Sequence, residues 1–248
     1  MKTSRSTCSK AIGILLLEFA TGTKFRRILG DVGNAATYDF PVALKVVGGA
    51  VDSRVVRKEI DGTLLEAFIQ GAKELEQEGV RAITTSCGFL VVFQEELANA
   101  VNIPVFTSSL MQVPLVHRML KKGQKVGIIT YDSRVLSERH LRAAGIDPSI
   151  PIAVSGLEML EAGSEGVLRY IPEKYDDWVQ EVERHTVLTA KRLVSKNQDI
   201  GAIVLECTNL PPYAAAVQEA VGLPVFDIVS LVNLVYNAVV KKKYVAFG

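Results

Sequence analysis

The chain is short of several things, and each shortage excludes a class of function. Three cysteines in 248 residues are too few, and odd in number, for a scaffold built on disulfides, so a reducing cytoplasm is the expected location. Charge of one sign is missing as well. Lys plus Arg number 28 against 27 for Asp plus Glu, a formal net charge of +1. That leaves no basic excess to draw the chain to nucleic acid or to an anionic membrane. The only basic run of three, Lys241–Lys243, closes the last expected helix, where cations suit the helix dipole. No apolar stretch approaches the ~20 residues of a membrane span. Lys2, Arg5 and Lys10 ahead of Ala11–Leu17 superficially copy a secretory leader. The apolar part then runs straight into Glu18 with no small-residue cleavage site, so it reads as a buried first strand.

Motifs are sparse too. There is no GxGxxG, no P-loop, no CxxC or HxxxH pair and no GxSxG, so nothing calls for a nucleotide, a metal or a serine nucleophile. His117, His140 and His185 all fall within helical patterns and read as surface or core residues. The expectation is an enzyme without metal or cofactor.

What the chain does have is an internal repeat. In Gly201–Tyr213 (GAIVLECTNLPPY) a short apolar run ends in Glu206-Cys207-Thr208-Asn209, followed by Pro211-Pro212 and a segment able to form helix. Arg81–Leu90 (RAITTSCGFL) places Cys87 at the end of its own apolar run. The two align without a gap at a separation of 120 positions, Ala82-Ile83 on Ala202-Ile203 and Leu90 on Leu210. At the same separation VNIPVF (101–106) falls on VGLPVF (221–226). One duplicated unit, carrying one thiol per copy, accounts for this register.

Hydrophobic periodicity supplies the elements. Ala11–Leu17, Val42–Val47, Ala82–Thr85 and Pro104–Phe106 read as strands of the first half. Val56, Ile60, Leu64, Phe68, Ala72 and Leu75 predict one helix of roughly 20 residues ending at Gly79. Further helices are predicted over 91–101 and 109–121. The second half repeats the order. Lys125–Thr130 resembles Ala11–Leu16 with the glycines superposed, then come helix 133–144, strand Ile150–Val154, a Gly-rich loop around Gly163 and Gly166, helix 173–195, the strand leading to Cys207, helix 212–221, strand Pro224–Phe226 and helix 230–242. Alternating strands and helices imply parallel sheets with right-handed crossovers. The fold class is α/β: two pseudo-symmetric lobes, residues 1–121 (1–10 loose) and 122–248, each a roughly four-stranded parallel sheet flanked by helices. Ligands of such sheets bind beyond the carboxyl ends of the strands, where both Cys87 and Cys207 lie, so the active site is expected in the inter-lobe cleft.

Two facing thiols suit proton transfer. One, as thiolate, removes a proton from carbon while the other, as thiol, delivers one to the opposite face; a disulfide stays open if they touch. An ordinary thiol, with a pKa of about 8.5, lies roughly 2 kcal/mol from ionisation at neutral pH. A helix N-terminus after each Cys is expected to lower that barrier and to hold a substrate carboxylate. Gly88 would let backbone approach a ligand closely.

Paired strand-Cys-turn units, with Cys-Thr-Asn in the second half, resemble the aspartate/glutamate racemase superfamily over essentially the whole chain after residue 10. The resemblance implies a cofactor-independent racemase or epimerase of a small carboxylate such as an amino acid, catalytic Cys87 and Cys207, substrate contacts at Thr208 and Asn209, a C-terminal helix packed back on the first lobe, and a homodimer. Cys87-Gly88-Phe89 stands where the amino-acid racemases usually read Cys-Asn-Thr, which places Gly88 and Phe89 in the substrate site without the usual carboxylate contact. Thr130-Tyr131 resembles a pair in the maleate isomerase and arylmalonate decarboxylase branches; Tyr131 is a candidate hydrogen-bond donor to a carboxylate. Those branches give cis–trans isomerisation and decarboxylation as alternatives, although the decarboxylases typically lack the first cysteine. Glu18 is a candidate for orienting a substrate amine and Arg54 for pairing a carboxylate, against solvated and helix-turn roles. A non-catalytic, cleft-closing binding protein is the alternative outside enzymes.

Overall fold

A computed structural model describes residues 10–18, 27–159 and 175–244. Among the described residues, eight strands form two four-stranded sheets. The first contains β1 (Ile12–Leu17), β2 (Val42–Val47), β3 (Ala82–Thr85) and β4 (Val105–Phe106), in spatial order β2-β1-β3-β4. The second contains β5 (Lys125–Thr130), β6 (Ile152–Gly156), β7 (Ile200–Leu205) and β8 (Val225–Phe226), in the matching order β6-β5-β7-β8. Every pairing is parallel, with Gly13 opposite Ile83 in one sheet and Gly127 opposite Ile203 in the other. β1, β3, β5 and β7 are almost wholly buried, as continuous apolar runs covered on both faces should be.

The helices are α1 (Asp52–Val55), α2 (Leu65–Gln77), α3 (Gln94–Ala100), α4 (Val113–Met119), α5 (Glu138–Ala143), α6 (Tyr175–Lys196), α7 (Ala214–Val221) and α8 (Ile228–Val239). The predicted 20-residue helix from Val56 is thus two pieces. The Asp61 side chain accepts the Thr63 N–H at 3.0 Å and starts a 3-10 turn over Gly62–Leu64, so the α-helix proper begins only at Leu65. Such local side-chain bonds compete with a helical backbone. Arg54, in the last turn of α1, clamps Asp61 at 2.6 and 2.9 Å, so its guanidinium is committed to structure. Other helix starts slip later too, with a side-chain cap only at Ser108 and Ser137. The segments at 88, 109 and 211 all open as 3-10 turns (Gly88–Phe93, Ser109–Gln112, Pro211–Tyr213), and α5 waits for its cap at Ser137. β6 lies two residues later than its apolar run suggests. The Gly163–Gly166 loop is outside the described residues.

The halves exchange their last helices. Val113 and Val116 of α4 pack with Val126, Ile128, Ala202 and Val204 of the second sheet. Ile228, Leu231 and Val232 of α8 pack with Ile12, Ile14, Ala82 and Phe106 of the first. Burying a side chain of this size stabilises by roughly 1.5–3 kcal/mol. The exchange therefore ties the two carboxyl-end edges, and the cysteines on them, into one seam. No helix among the described residues is long and apolar enough to cross a membrane.

Candidate active site

β3 and β7 deliver the two thiols in the same way. Past the end of each strand the chain turns back to pair once more with its neighbour, Ser86 N–H to Leu15 O at 2.9 Å and Glu206 N–H to Ile129 O at 2.7 Å. The cysteine follows, and its carbonyl closes a turn with the N–H three residues on, Cys87 with Leu90 and Cys207 with Leu210, both at 3.1 Å. Both cysteines are free, with exposures of 8% and 9%. Cys87 belongs to the core cluster of the first lobe and Cys207 to that of the second, and each lies near enough to the other for the Cys87 charge to bear on Cys207.

Side chains cross the seam between them. Thr208 Oγ1 donates to Ser86 O at 2.6 Å, and Ser109 Oγ donates to Leu205 O at 2.6 Å. Phe89 is buried with its ring 5.0 Å from that of His140, edge to face. His140 is itself a core residue, as its pattern suggested, and burial pushes its pKa down to about 4. Thr130 Oγ1 donates to Glu206 Oε2 at 2.6 Å, and the Tyr131 N–H bonds the same carboxylate. Phe89, Thr130 and Thr208 thus have partners inside the protein. Asn209 is half-buried, with its N–H toward the Cys207 sulfur. Glu18 is exposed at the end of β1, and its carboxylate accepts the Gly49 N–H at 2.6 Å, so it serves the end of β2.

Two expectations need correction. The thiols are not made acidic by the turns that follow them. N–H groups of Phe89 and Leu90 do point at Cys87, but burial, and then the charge of Glu206, push both cysteines well above their ordinary value. A short 3-10 turn offers little dipole, and a dry site disfavours the charged form. Nor does Gly88 make room for a ligand. A Cβ there would run into Glu206 Oε1 and lie 2.6 Å from the Glu206 carbonyl oxygen, so Glu206 is what approaches.

Glu206 is the residue that motif reading missed. It is wholly buried, one carboxylate oxygen has no hydrogen-bond partner, and burial lifts its pKa to about 7. Its signal was present in the sequence: a carboxylate closing an apolar strand beside a cysteine cannot reach water and must act where it sits. The largest charge effect on both sulfurs comes from Glu206, with smaller ones from Asp52 on Cys87 and, on Cys207, from Asp31, itself paired with Arg27 at 2.9 Å. No group of three or more potential metal ligands occurs among the described residues.

The family model for Asp/Glu/hydantoin racemase matches residues 57–232, a span holding both cysteine turns. The chain belongs to this family. Dimethylsulfoniopropionate lyase 7 of Emiliania huxleyi (strain CCMP1516) is 31% identical over 234 residues, 90% of this chain but 65% of the relative. The dimethylsulfoniopropionate lyase of Durusdinium sp. clade D is 28% identical over 227 residues, 88% of this chain and 71% of the relative. Among solved structures, a glycine-to-cysteine variant of arylmalonate decarboxylase in a sulfate-associated form aligns with a TM-score of 0.61 at 17% identity, covering 94% of this chain and 95% of that one. Glutamate racemase RacE1 from Bacillus anthracis aligns with a TM-score of 0.55 at 13% identity, covering 93% and 83%. These two show that the racemase fold is shared. The proteins that this chain resembles thus carry names from three chemistries, and the site must choose among them.

Proposed function

We propose that the protein is a cofactor-independent enzyme that removes the proton α to a carboxylate, with Cys87 and Cys207 as its acid–base pair, and that its reaction is β-elimination on a small sulfonio-carboxylate of the 3-dimethylsulfoniopropionate kind. The observation that carries the reading is the pair of buried free thiols, one from each lobe, closed into one seam. Similarity to lyases of that substrate over nine-tenths of the chain supports the choice of leaving group.

The step balances without a cofactor. A thiolate takes the α-proton; the electron pair left on carbon becomes the Cα–Cβ double bond; the Cβ–sulfur bond breaks with its pair leaving on sulfur. The products are acrylate and neutral dimethyl sulfide, and the cysteine later loses its gained proton to water. Backbone N–H groups of the turn after each cysteine, with Asn209, are the proposed carboxylate ligands. Gly88, Phe89, Thr130 and Thr208 build the seam, and Tyr131 anchors Glu206 through its N–H.

The sulfonium group of a zwitterionic substrate also bears on the energetic problem of the free site. With burial and the charge of Glu206 both against ionisation, the sulfurs stay protonated at neutral pH. A unit positive charge about 5 Å away, at an effective dielectric near 20, favours a thiolate by roughly 3 kcal/mol. That is about two units of pKa.

Two-base racemisation is the second reading, favoured by the presence of a thiol on each side of the cleft. Incubation with 3-dimethylsulfoniopropionate, with dimethyl sulfide measured by gas chromatography and acrylate by proton NMR, tests the first. Equimolar sulfide and acrylate are expected. No sulfide, together with deuterium entering the α-position of an enantiopure amino acid in D2O, would replace elimination by racemisation.

A further inference from the structure

Glu206 has no role in the proton transfers above, yet the seam is built around it. Its main chain pairs with Ile129 and its carbonyl lies 3.4 Å from Ser109 Oγ. Its Oε2 is held by Thr130, and its Oε1, wholly buried and unpartnered, lies against Gly88. It is bonded directly to Cys207 in the chain and touches the residue after Cys87. Thr130 and Tyr131 face it from β5, Ser109 from the turn before α4, and Cys87 from the first lobe; Asp31 and Asp52 are the other charges that reach the sulfurs. A buried carboxylate with no cation beside it among the described residues is costly, which points to a use for its charge or its shape.

We propose that Glu206 is a positioning residue whose negative charge, wedged between Cys87-Gly88 and Cys207, opposes thiolate formation in the free protein and reserves the site for carboxylates that bring a positive charge. The inference rests on the reading that the two thiols act on a carboxylate, and goes further by naming what selects the substrate. Both sulfonium and ammonium carboxylates carry the required positive group, and a plain carboxylate of the same shape does not. A substrate cation in the seam offsets Glu206, and only then is the proton on sulfur free to leave.

The test uses the full chain with Cys8→Ser, so that alkylation reports on the two buried thiols. Glu206→Gln removes the charge and keeps the shape. Glu206→Ser, which installs the side chain that Ser86 places at the corresponding point of the first lobe, serves if the glutamine variant does not fold. Iodoacetamide modification of Cys87 and Cys207 is followed by mass spectrometry from pH 6 to 10. Calorimetry compares 3-dimethylsulfoniopropionate with 4-methylpentanoate, the carboxylate in which carbon replaces the sulfonium sulfur. We expect the neutral variant to alkylate about tenfold faster at pH 8, one unit of pKa. The preference for the sulfonium acid, about tenfold or more in the parent, should fall toward one. Unchanged alkylation profiles, or an unchanged preference, would overturn the inference. Neither readout needs turnover: a shifted profile in a protein that releases no sulfide would sink the lyase reading and leave Glu206 its role.

Discussion

At the end of the third strand of each sheet the same backbone turn carries different side chains. The first lobe reads Ser86-Cys87-Gly88 and the second Glu206-Cys207-Thr208, position for position. Ser86 Oγ accepts the Leu17 N–H at 2.9 Å, and the Glu206 carboxylate accepts the Tyr131 N–H, the corresponding donor of the second lobe. Thr208 then reaches across to Ser86 O, whereas the symmetric bond from position 88 is absent because Glu206 fills that room. The two differences are therefore one difference. A larger, charged residue at 206 requires no side chain at 88, and a small residue at 86 permits the hydroxyl at 208. Duplication made the frame, and a matched swap across the seam made it electrically lopsided.

The largest effect should come from removing the sulfurs one at a time. Under elimination one base is enough, so Cys87→Ala and Cys207→Ala should differ. The more damaging of the two is expected to lower kcat for sulfide release about 10³- to 10⁴-fold, and the other far less. Equal losses on both sides would make the lobes chemically equivalent and overturn the one-base form of the elimination.

Next in size is the pH dependence of stability. Burial raises the Glu206 pKa from 4.5 to about 7. Between those values the folded protein holds a proton that the unfolded chain has released. The stabilisation is thus fully present below about pH 4.5 and lost as pH rises through about 7. The span corresponds to about 3 kcal/mol. Glu206→Gln should flatten this loss, read as the change in urea midpoint between pH 5 and 8. Ser86→Ala, its first-lobe counterpart, should leave the slope as it is. An equal slope in the glutamine variant would show that the carboxylate is not where the proton sits.

The swap itself predicts a coupling. Gly88→Thr should cost on the order of 2 kcal/mol through overpacking against Glu206. Adding Glu206→Ser should return about 1 kcal/mol of that, because the carboxylate collision goes while the 2.6 Å approach to the carbonyl remains. Strict additivity in a double-mutant cycle would mean that 88 and 206 do not share the space the structure gives them.

Much of this was legible beforehand, for physical reasons that differ by element. β1 and β7 are buried on both faces, so their sequences are continuous apolar runs that no helix period imitates, and β3 and β5 depart from this chiefly in threonines at their carboxyl ends. The 120-residue register survives in the structure as equivalent bonds, Ile83 N–H to Pro104 O and Ile203 N–H to Pro224 O. Helix starts were less legible because local side-chain bonds such as Asp61 to Thr63 decide them and leave the apolar period untouched. At the site, the positions of Cys87 and Cys207 could be read from strand ends. Their raised pKa values could not, since burial in the seam depends on α4 and α8 crossing to the opposite sheet. Glu206 was in view throughout, but only the contact with Gly88 shows that its carboxylate belongs to both lobes.

The smallest effect concerns Thr208, expected from resemblance to touch substrate and found donating to Ser86 O at 2.6 Å. Ser109 makes the reciprocal crossing, from the first lobe to Leu205 O, also at 2.6 Å. If both hydroxyls serve only the seam, Thr208→Val and Ser109→Ala should each cost about 1 kcal/mol, the usual worth of a buried hydrogen bond. Both should leave KM within about twofold, since uniform binding interactions are what KM reports. Thr208 is adjacent to Cys207, so the alternative has a distinct signature. A KM raised tenfold or more by Thr208→Val, with the urea midpoint unchanged and Ser109→Ala silent, would move Thr208 from the seam to the substrate.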